Sequence, residues 1–219
     1  MEYINMKECV GDNPLLAILR GVPDDILLNY AGAIFEGGVR FFEVAMNTKN
    51  ATEQIARLRK HFGKKLIIGA GTAITVERAE AAINAGAEFL LTPSTDEPVL
   101  KYAHDNGIQM LPGVLTPTDV SIATRYGFNV LKLFPAGDMP VGYIKSLKGP
   151  FDNTDYIAIG GVSADNIEAF ISRGFIGVGL GSNIAKKEDV LNRDWNKATE
   201  HVKYLLDKVK LAKAGCQLQ

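Results

Sequence analysis

Val130-Leu131-Lys132-Leu133-Phe134-Pro135 is an apolar run of strand length with a lysine at its centre. Side chains alternate between the two faces of a strand, so Lys132 and Phe134 share one face while Leu131 and Leu133 share the other. A buried ammonium is costly and therefore rare. If the leucines pack beneath helices, Lys132 faces whatever the strands enclose. Desolvation there removes its proton and leaves a nucleophilic amine. The other reading is a lysine on an edge strand that keeps its head in water.

The run has companions. Working outward, Leu15–Gly21, Phe41–Asn47, Lys65–Gly71, Phe89–Ser94, Gln109–Val114, Tyr156–Gly161 and Gly177–Ser182 are also apolar stretches that end in small or polar residues. With Val130–Ala136 they make eight, spaced roughly 20–26 residues apart, about one strand-plus-helix unit each. The stretches between them carry helical periodicity, as in Val76-x-x-Ala79-x-x-Ala82-Ile83 and Ile167-x-x-Phe170-Ile171. Thr75 and Ser163 stand where N-caps are expected. Eight such units predict an α/β fold, a (β/α)8 TIM barrel forming a single domain over residues 1–219, with residues 1–12 as a short lead-in helix. A doubly wound open sheet is the rival, but no G-x-G-x-x-G follows the first run. A last helix from about Trp195 to Leu211 would close the ring, with 212–219 fraying.

Composition narrows the function. The chain has 219 residues, 47% hydrophobic, with a formal net charge of −1. That charge gives no general nucleic-acid or membrane surface, and no apolar segment reaches spanning length. Met1-Glu2-Tyr3-Ile4-Asn5 has no basic region leading into an apolar run, so no signal peptide is expected. Cys9 and Cys216 lie near opposite termini, which argues against a disulfide framework and fits the cytoplasm.

In a barrel the chemistry sits at the C-terminal ends of the strands. By alternation Glu43, Ala45 and Asn47 point inward, and Glu43 is the only carboxylate inside any of the eight runs. Glu43 and Lys132 facing one lumen can share proton-transfer work, or form a buried structural ion pair. Arg20, ending the first run, is placed either to hold a carboxylate in bidentate fashion or to pair with a loop acid. Gly69-Ala70-Gly71-Thr72 and Thr92-Pro93-Ser94 offer close backbone approach and hydroxyl groups. Gly160-Gly161 and Gly179-Leu180-Gly181-Ser182 end the seventh and eighth runs, each before a helix-like stretch. This is the common place for a barrel phosphate site. His61, His104 and His201 all fall in helical stretches, and no H-x-H or H-E-x-x-H motif occurs, so no metal is expected.

These motifs, in this order from Leu15 to Ser182, resemble the class I 2-keto-3-deoxy-6-phosphogluconate (KDPG) aldolase family, including its 6-phosphogalactonate branch. Pro112-Gly113-Val114-Leu115-Thr116-Pro117 belongs to the same resemblance. Some members act on 4-hydroxy-2-oxoglutarate. The resemblance implies a metal-free, cofactor-free barrel, typically a homotrimer, acting on a small phosphorylated keto acid. It makes Lys132 the Schiff-base lysine and Glu43 the acid–base group. Thr72, Pro93 and Phe134 become pocket positions, and Gly160, Gly161, Gly181 and Ser182 the phosphate loops. Many phosphogluconate aldolases have an arginine at the position of Asn47, holding the substrate carboxylate, and Arg20 is the candidate replacement here. Asn47, Ile159 and Gly142-Tyr143-Ile144-Lys145 look like the phosphogalactonate branch, whereas Gly149-Pro150-Phe151 looks like the phosphogluconate enzymes. The expected reaction is cleavage of a 2-keto-3-deoxy-6-phospho sugar acid to pyruvate and glyceraldehyde 3-phosphate. Cleavage of 4-hydroxy-2-oxoglutarate to pyruvate and glyoxylate is an alternative. So is a phosphosugar isomerase, epimerase or binding protein on the same scaffold.

Overall fold

A computed structural model describes residues 5–216. Nine strands form one all-parallel sheet: β1 (Leu15–Leu19), β2 (Phe41–Ala45), β3 (Ile67–Gly71), β4 (Phe89–Leu91), β5 (Gln109–Leu111), β6 (Gly113–Val114), β7 (Val130–Leu133), β8 (Asp155–Ile159) and β9 (Gly177–Leu180). The pairing order is β5-β4-β3-β2-β1-β9-β8-β7-β6. Its two ends, β5 and β6, are separated in the chain by Pro112 alone. The ring therefore closes through the fifth run, whose first half pairs with β4 and whose second half pairs with β7. The eightfold expectation holds with one correction: the fifth run is two short strands. Proline has no N–H to give a ladder. The Pro112 carbonyl still serves, accepting from Lys132 N at 2.9 Å.

Helices α1 (Met6–Asp12), α2 (Leu27–Glu36), α3 (Ala51–Phe62), α4 (Val76–Asn84), α5 (Glu97–Asp105), α6 (Pro117–Arg125), α7 (Tyr143–Lys148), α8 (Ile167–Ser172), α9 (Lys187–Leu191) and α10 (Trp195–Cys216) complete the architecture. Their starts follow from local chemistry. Thr75 accepts from Arg78 N at 3.3 Å, and Thr116 and Asp119 form a reciprocal capping box with Pro117 in the first turn. Ser163 does not cap α8 as expected. It opens a turn in which its N–H donates to Asn166 Oδ1 at 2.9 Å, and the helix begins at Ile167. At the other end α10 continues through Ala212 to Cys216 instead of fraying, and residues 217–219 lie outside the described residues.

Alternation along the strands separates two cores. Leu15, Ala17, Leu19, Phe42, Val44, Leu131, Leu133, Tyr156 and Ala158 pack outward against the helices. Helix α3 meets them with Ile55, Leu58 and Phe62, spaced for one helical face. Each such side chain contributes about 1.5–3 kcal/mol by leaving water. Leu16, Ile18, Phe41, Phe89, Leu91, Leu111, Val130, Ile157 and Ile159 fill the lumen. Phe41 and Phe89 stack with centroids 4.7 Å apart, and a Cβ on Gly69 would overlap the Phe89 ring. Met6, Cys9 and Val10 of α1 join this inner cluster and plug the N-terminal end of the barrel. The C-terminal end is left for polar groups.

Candidate active site

Lys132 lies in β7 and is 2% exposed, on the lumen side opposite Leu131 and Leu133. The alternation expected from the sequence is observed. Its ammonium group sits 4.8 Å from the centroid of the Phe134 ring. Burial pulls the Lys132 pKa below its usual 10.5, the Glu43 carboxylate opposes that pull, and the Arg20 charge adds to it. The Phe134 ring face would by itself favour the charged form by about 0.5–2 kcal/mol. Burial of the whole side chain outweighs a single ring, so the amine is biased toward neutrality.

Glu43 is in β2, between Ile18 and Gly69 in register, and is fully buried. Burial pushes its pKa above the usual 4.5, against the opposing charges of Lys132 and Arg20. Neither carboxylate oxygen has a hydrogen-bond partner among the described residues. A buried ion pair kept for structure needs direct contact and saturated hydrogen bonds to offset its desolvation. Glu43 and Lys132 have neither, yet each shifts the titration of the other. Gly71 makes room for this carboxylate, because a Cβ there would overlap Glu43 itself.

Arg20 follows β1 and is exposed at the rim, close enough for its charge to act on both buried groups. It makes no hydrogen bond or ion pair among the described residues, so pairing with a loop acid is not seen. The strand alternation does not reach Asn47. β2 ends at Ala45, and Asn47 is exposed in the turn beyond it, at the same end of the barrel. Thr72, just past β3, has φ +54°, a left-handed conformation unusual for a β-branched residue. Such outliers gather where a loop is held for function. Pro93 is half-buried past β4, and the missing Cβ of Gly113 is what lets the Pro93 carbonyl approach β6.

Past β8 and β9, Gly160 and Gly161 have φ +87° and +71°, open only to glycine without strain. Gly161 and Ser182 are exposed and Gly181 is half-buried. Both loops are turns and do not run straight into helices. α8 starts at Ile167 and α9 at Lys187, so the expected helix N-termini do not follow directly on the glycine pairs. A groove of about 750 Å³ adjoins these turns, lined by Ser163, Asp165, Ser182, Asn183, Lys186 and Glu188 among others.

Three further groups tie the loops of this end together, and only Thr92 was marked in the sequence. Thr92 is fully buried and accepts from Gly113 N at 3.2 Å, tying β4 to β6. Thr48 accepts from Gly21 N at 3.0 Å and so joins the loop after β1 to the loop after β2. Gly137 lies against the Gly160-Gly161 turn, where a Cβ would come 2.7 Å from Gly161 Cα. The Thr-Pro pair was the available signal for Thr92. Thr48 and Gly137 carry none without the tertiary structure.

Residues 6–201 match the sequence model of a family described as KDPG and KHG aldolase. The chain belongs to the KDPG/KHG aldolase family. It is an aldolase, a carbon–carbon lyase. It is 33% identical to a 2-dehydro-3-deoxy-6-phosphogalactonate aldolase of Escherichia coli K12 over 192 residues, 87% of this chain and 93% of that one. It is 33% identical to a 2-dehydro-3-deoxy-phosphogluconate aldolase of Pseudomonas aeruginosa, over 67% of this chain and 66% of that one. Among solved structures, KDPG aldolase from Legionella pneumophila with pyruvate captured as a covalent carbinolamine superposes with a TM-score of 0.85. It is 26% identical and covers 92% of this chain and 98% of that one. The barrel and family expectations are thus met. Among the described residues no cluster of three or more potential metal ligands occurs, and no helix is long and apolar enough to cross a membrane.

Proposed function

We propose that this aldolase works through a Schiff base on Lys132, cleaving a 2-keto-3-deoxy-6-phospho sugar acid of the gluconate or galactonate type to pyruvate and glyceraldehyde 3-phosphate. The observation that carries the reading is the buried, unbonded pair of Lys132 and Glu43 at one barrel mouth. The neutral amine adds to the C2 carbonyl, giving a carbinolamine of the kind named for the Legionella relative. Loss of water, with Glu43 moving the protons, gives the imine. Glu43, directly or through water, then takes the C4 hydroxyl proton. The C3–C4 bond breaks and its electron pair passes into the protonated imine. The aldehyde leaves, and the enamine is protonated at C3 and hydrolysed to pyruvate and free Lys132.

Arg20, Asn47 and the Gly71-Thr72 segment are the groups nearest the mouth for the substrate carboxylate, and Pro93 and Phe134 form apolar wall. The turns at Gly160-Gly161 and Gly181-Ser182 receive the phosphate, and binding there orients the reacting carbons. The test is intact-protein mass spectrometry after pyruvate and borohydride, with peptide mapping. A reduced pyruvyl adduct on Lys132 is expected; a folded protein without one would end the Schiff-base reading. Side-by-side assay of the two phosphorylated sugar acids then assigns the C4 configuration.

A further inference from the structure

A backbone cradle for an anion must present N–H groups and keep carbonyl oxygens occupied elsewhere. Four carbonyls of the two turns are occupied. Gly160 O accepts from Gly137 N at 2.8 Å and Gly181 O accepts from Ile184 N at 3.0 Å. Gly161 O accepts from Asn166 Nδ2 at 2.8 Å and Val162 O from Asn183 Nδ2 at 2.9 Å. The N–H groups of Gly161, Val162, Ser182 and Asn183, by contrast, donate to no described residue.

The Asn183 bond differs from the other three. It crosses from the turn after β9 to the turn after β8 and locks the two halves together. Asn183 is itself anchored: its carbonyl accepts from His201 Nε2 of α10 at 3.3 Å. Asn166 holds the β8 turn from inside, accepting from Ser163 N through Oδ1 while Nδ2 reaches Gly161 O.

We propose that Asn183 and Asn166 are positioning residues whose side-chain amides turn the cradle carbonyls away from the substrate phosphate. They thereby set the preference for phosphorylated over unphosphorylated 2-keto acids. The inference rests on the phosphate reading of the two turns. An amide suits the task because it donates without adding charge. A carboxylate at the same place donates nothing and puts a negative charge beside the anion.

The experiment compares kcat/KM for a 6-phosphorylated 2-keto-3-deoxy sugar acid with that for 4-hydroxy-2-oxoglutarate, in the wild type and in Asn183→Ala, Asn183→Asp, Asn183→Gln and Asn166→Ala. Formation of the pyruvate–borohydride adduct reports that each variant is folded. The ratio should fall roughly fivefold to tenfold in Asn183→Ala and Asn166→Ala, the scale of one hydrogen bond, through KM and not kcat. It should fall further in Asn183→Asp and recover partly in Asn183→Gln. A wild type that prefers the phosphorylated substrate, with variants that keep that preference, overturns the positioning role alone. A wild type with no such preference, and no competition by inorganic phosphate, overturns the phosphate reading and this inference with it.

Discussion

Two buried ionisable side chains, Cys9 and Lys132, occupy opposite ends of one barrel. Cys9 lies in the α1 plug among Met6, Val10 and the inner apolar cluster. Burial, helped by the charges of Glu88 and Asp12, pushes its pKa up to about 12. Burial pushes Lys132 down. In both cases water is removed and the neutral form is favoured. The neutral thiol is the inert form of cysteine, whereas the neutral amine is the reactive form of lysine. On the proposed chemistry, desolvation therefore silences the floor of the barrel and arms its mouth. Burial alone does not mark a catalytic group; the sign of the charge that burial removes decides the outcome.

The severest way to break this contrast is Lys132→Met, which keeps the stem and deletes the amine. kcat should fall by at least roughly 10³-fold, with no borohydride-trapped adduct. Stability supplies a second readout. Between its lowered pKa and 10.5 the unfolded chain binds more protons than the folded one, so the lysine makes stability rise with pH across that window. Urea titrations should show the rise in the wild type and lose it in the variant. The rate of adduct trapping should likewise climb to its plateau below pH 10.5.

Glu43→Gln comes next. It keeps the shape, removes the proton acceptor, and should lower kcat by roughly 10²–10⁴-fold while leaving Lys132 able to be trapped by pyruvate. Glu43 has the opposite sign of linkage. Between 4.5 and its raised pKa the folded chain holds the extra proton, so its contribution to stability declines as pH rises. The variant should remove that decline, and a wild-type curve flat through the window would count against the unpaired carboxylate. Gly71→Ala should cost about 1–3 kcal/mol in denaturant unfolding and lower kcat as well, because the added methyl must displace the Glu43 carboxylate. The smallest effect is at the floor. Cys9→Ala should cost about 1 kcal/mol of stability and leave kcat unchanged. A large loss of turnover there would dissolve the distinction between the two ends.

The contrast was half legible in the sequence. Period-two alternation needs only the order of residues, so the inward assignment of Lys132 and Glu43, opposite the outward Leu131, Leu133, Phe42 and Val44, followed from it. Strand ends are set by turn geometry, and there the reading failed. Asn47 was assigned by extending the alternation two residues past Ala45, where the strand has ended and period two no longer sets a face. The fifth run broke at Pro112 for lack of a donor, which a proline in an apolar run should have signalled. Ser163 was taken for a cap, but its Oγ accepts from Asp165 N within the turn, and the helix starts only at Ile167. The unpaired state of Glu43 could not be read at all. It depends on Gly69, Gly71 and Ile18 from two neighbouring strands, and on Lys132 from across the ring.

The plug that α1 makes with Met6, Cys9 and Val10 has a kinetic meaning. A barrel stoppered at one end is a blind well with a single opening for entry and exit. On the proposed chemistry, the fragment joined to Lys132 lies deepest and the phosphorylated fragment lies nearest the rim. Departure is then a queue: the aldehyde must clear the opening before water can reach the imine and pyruvate can follow. In the synthetic direction the same well admits pyruvate first, an ordered sequence imposed by architecture with no moving part.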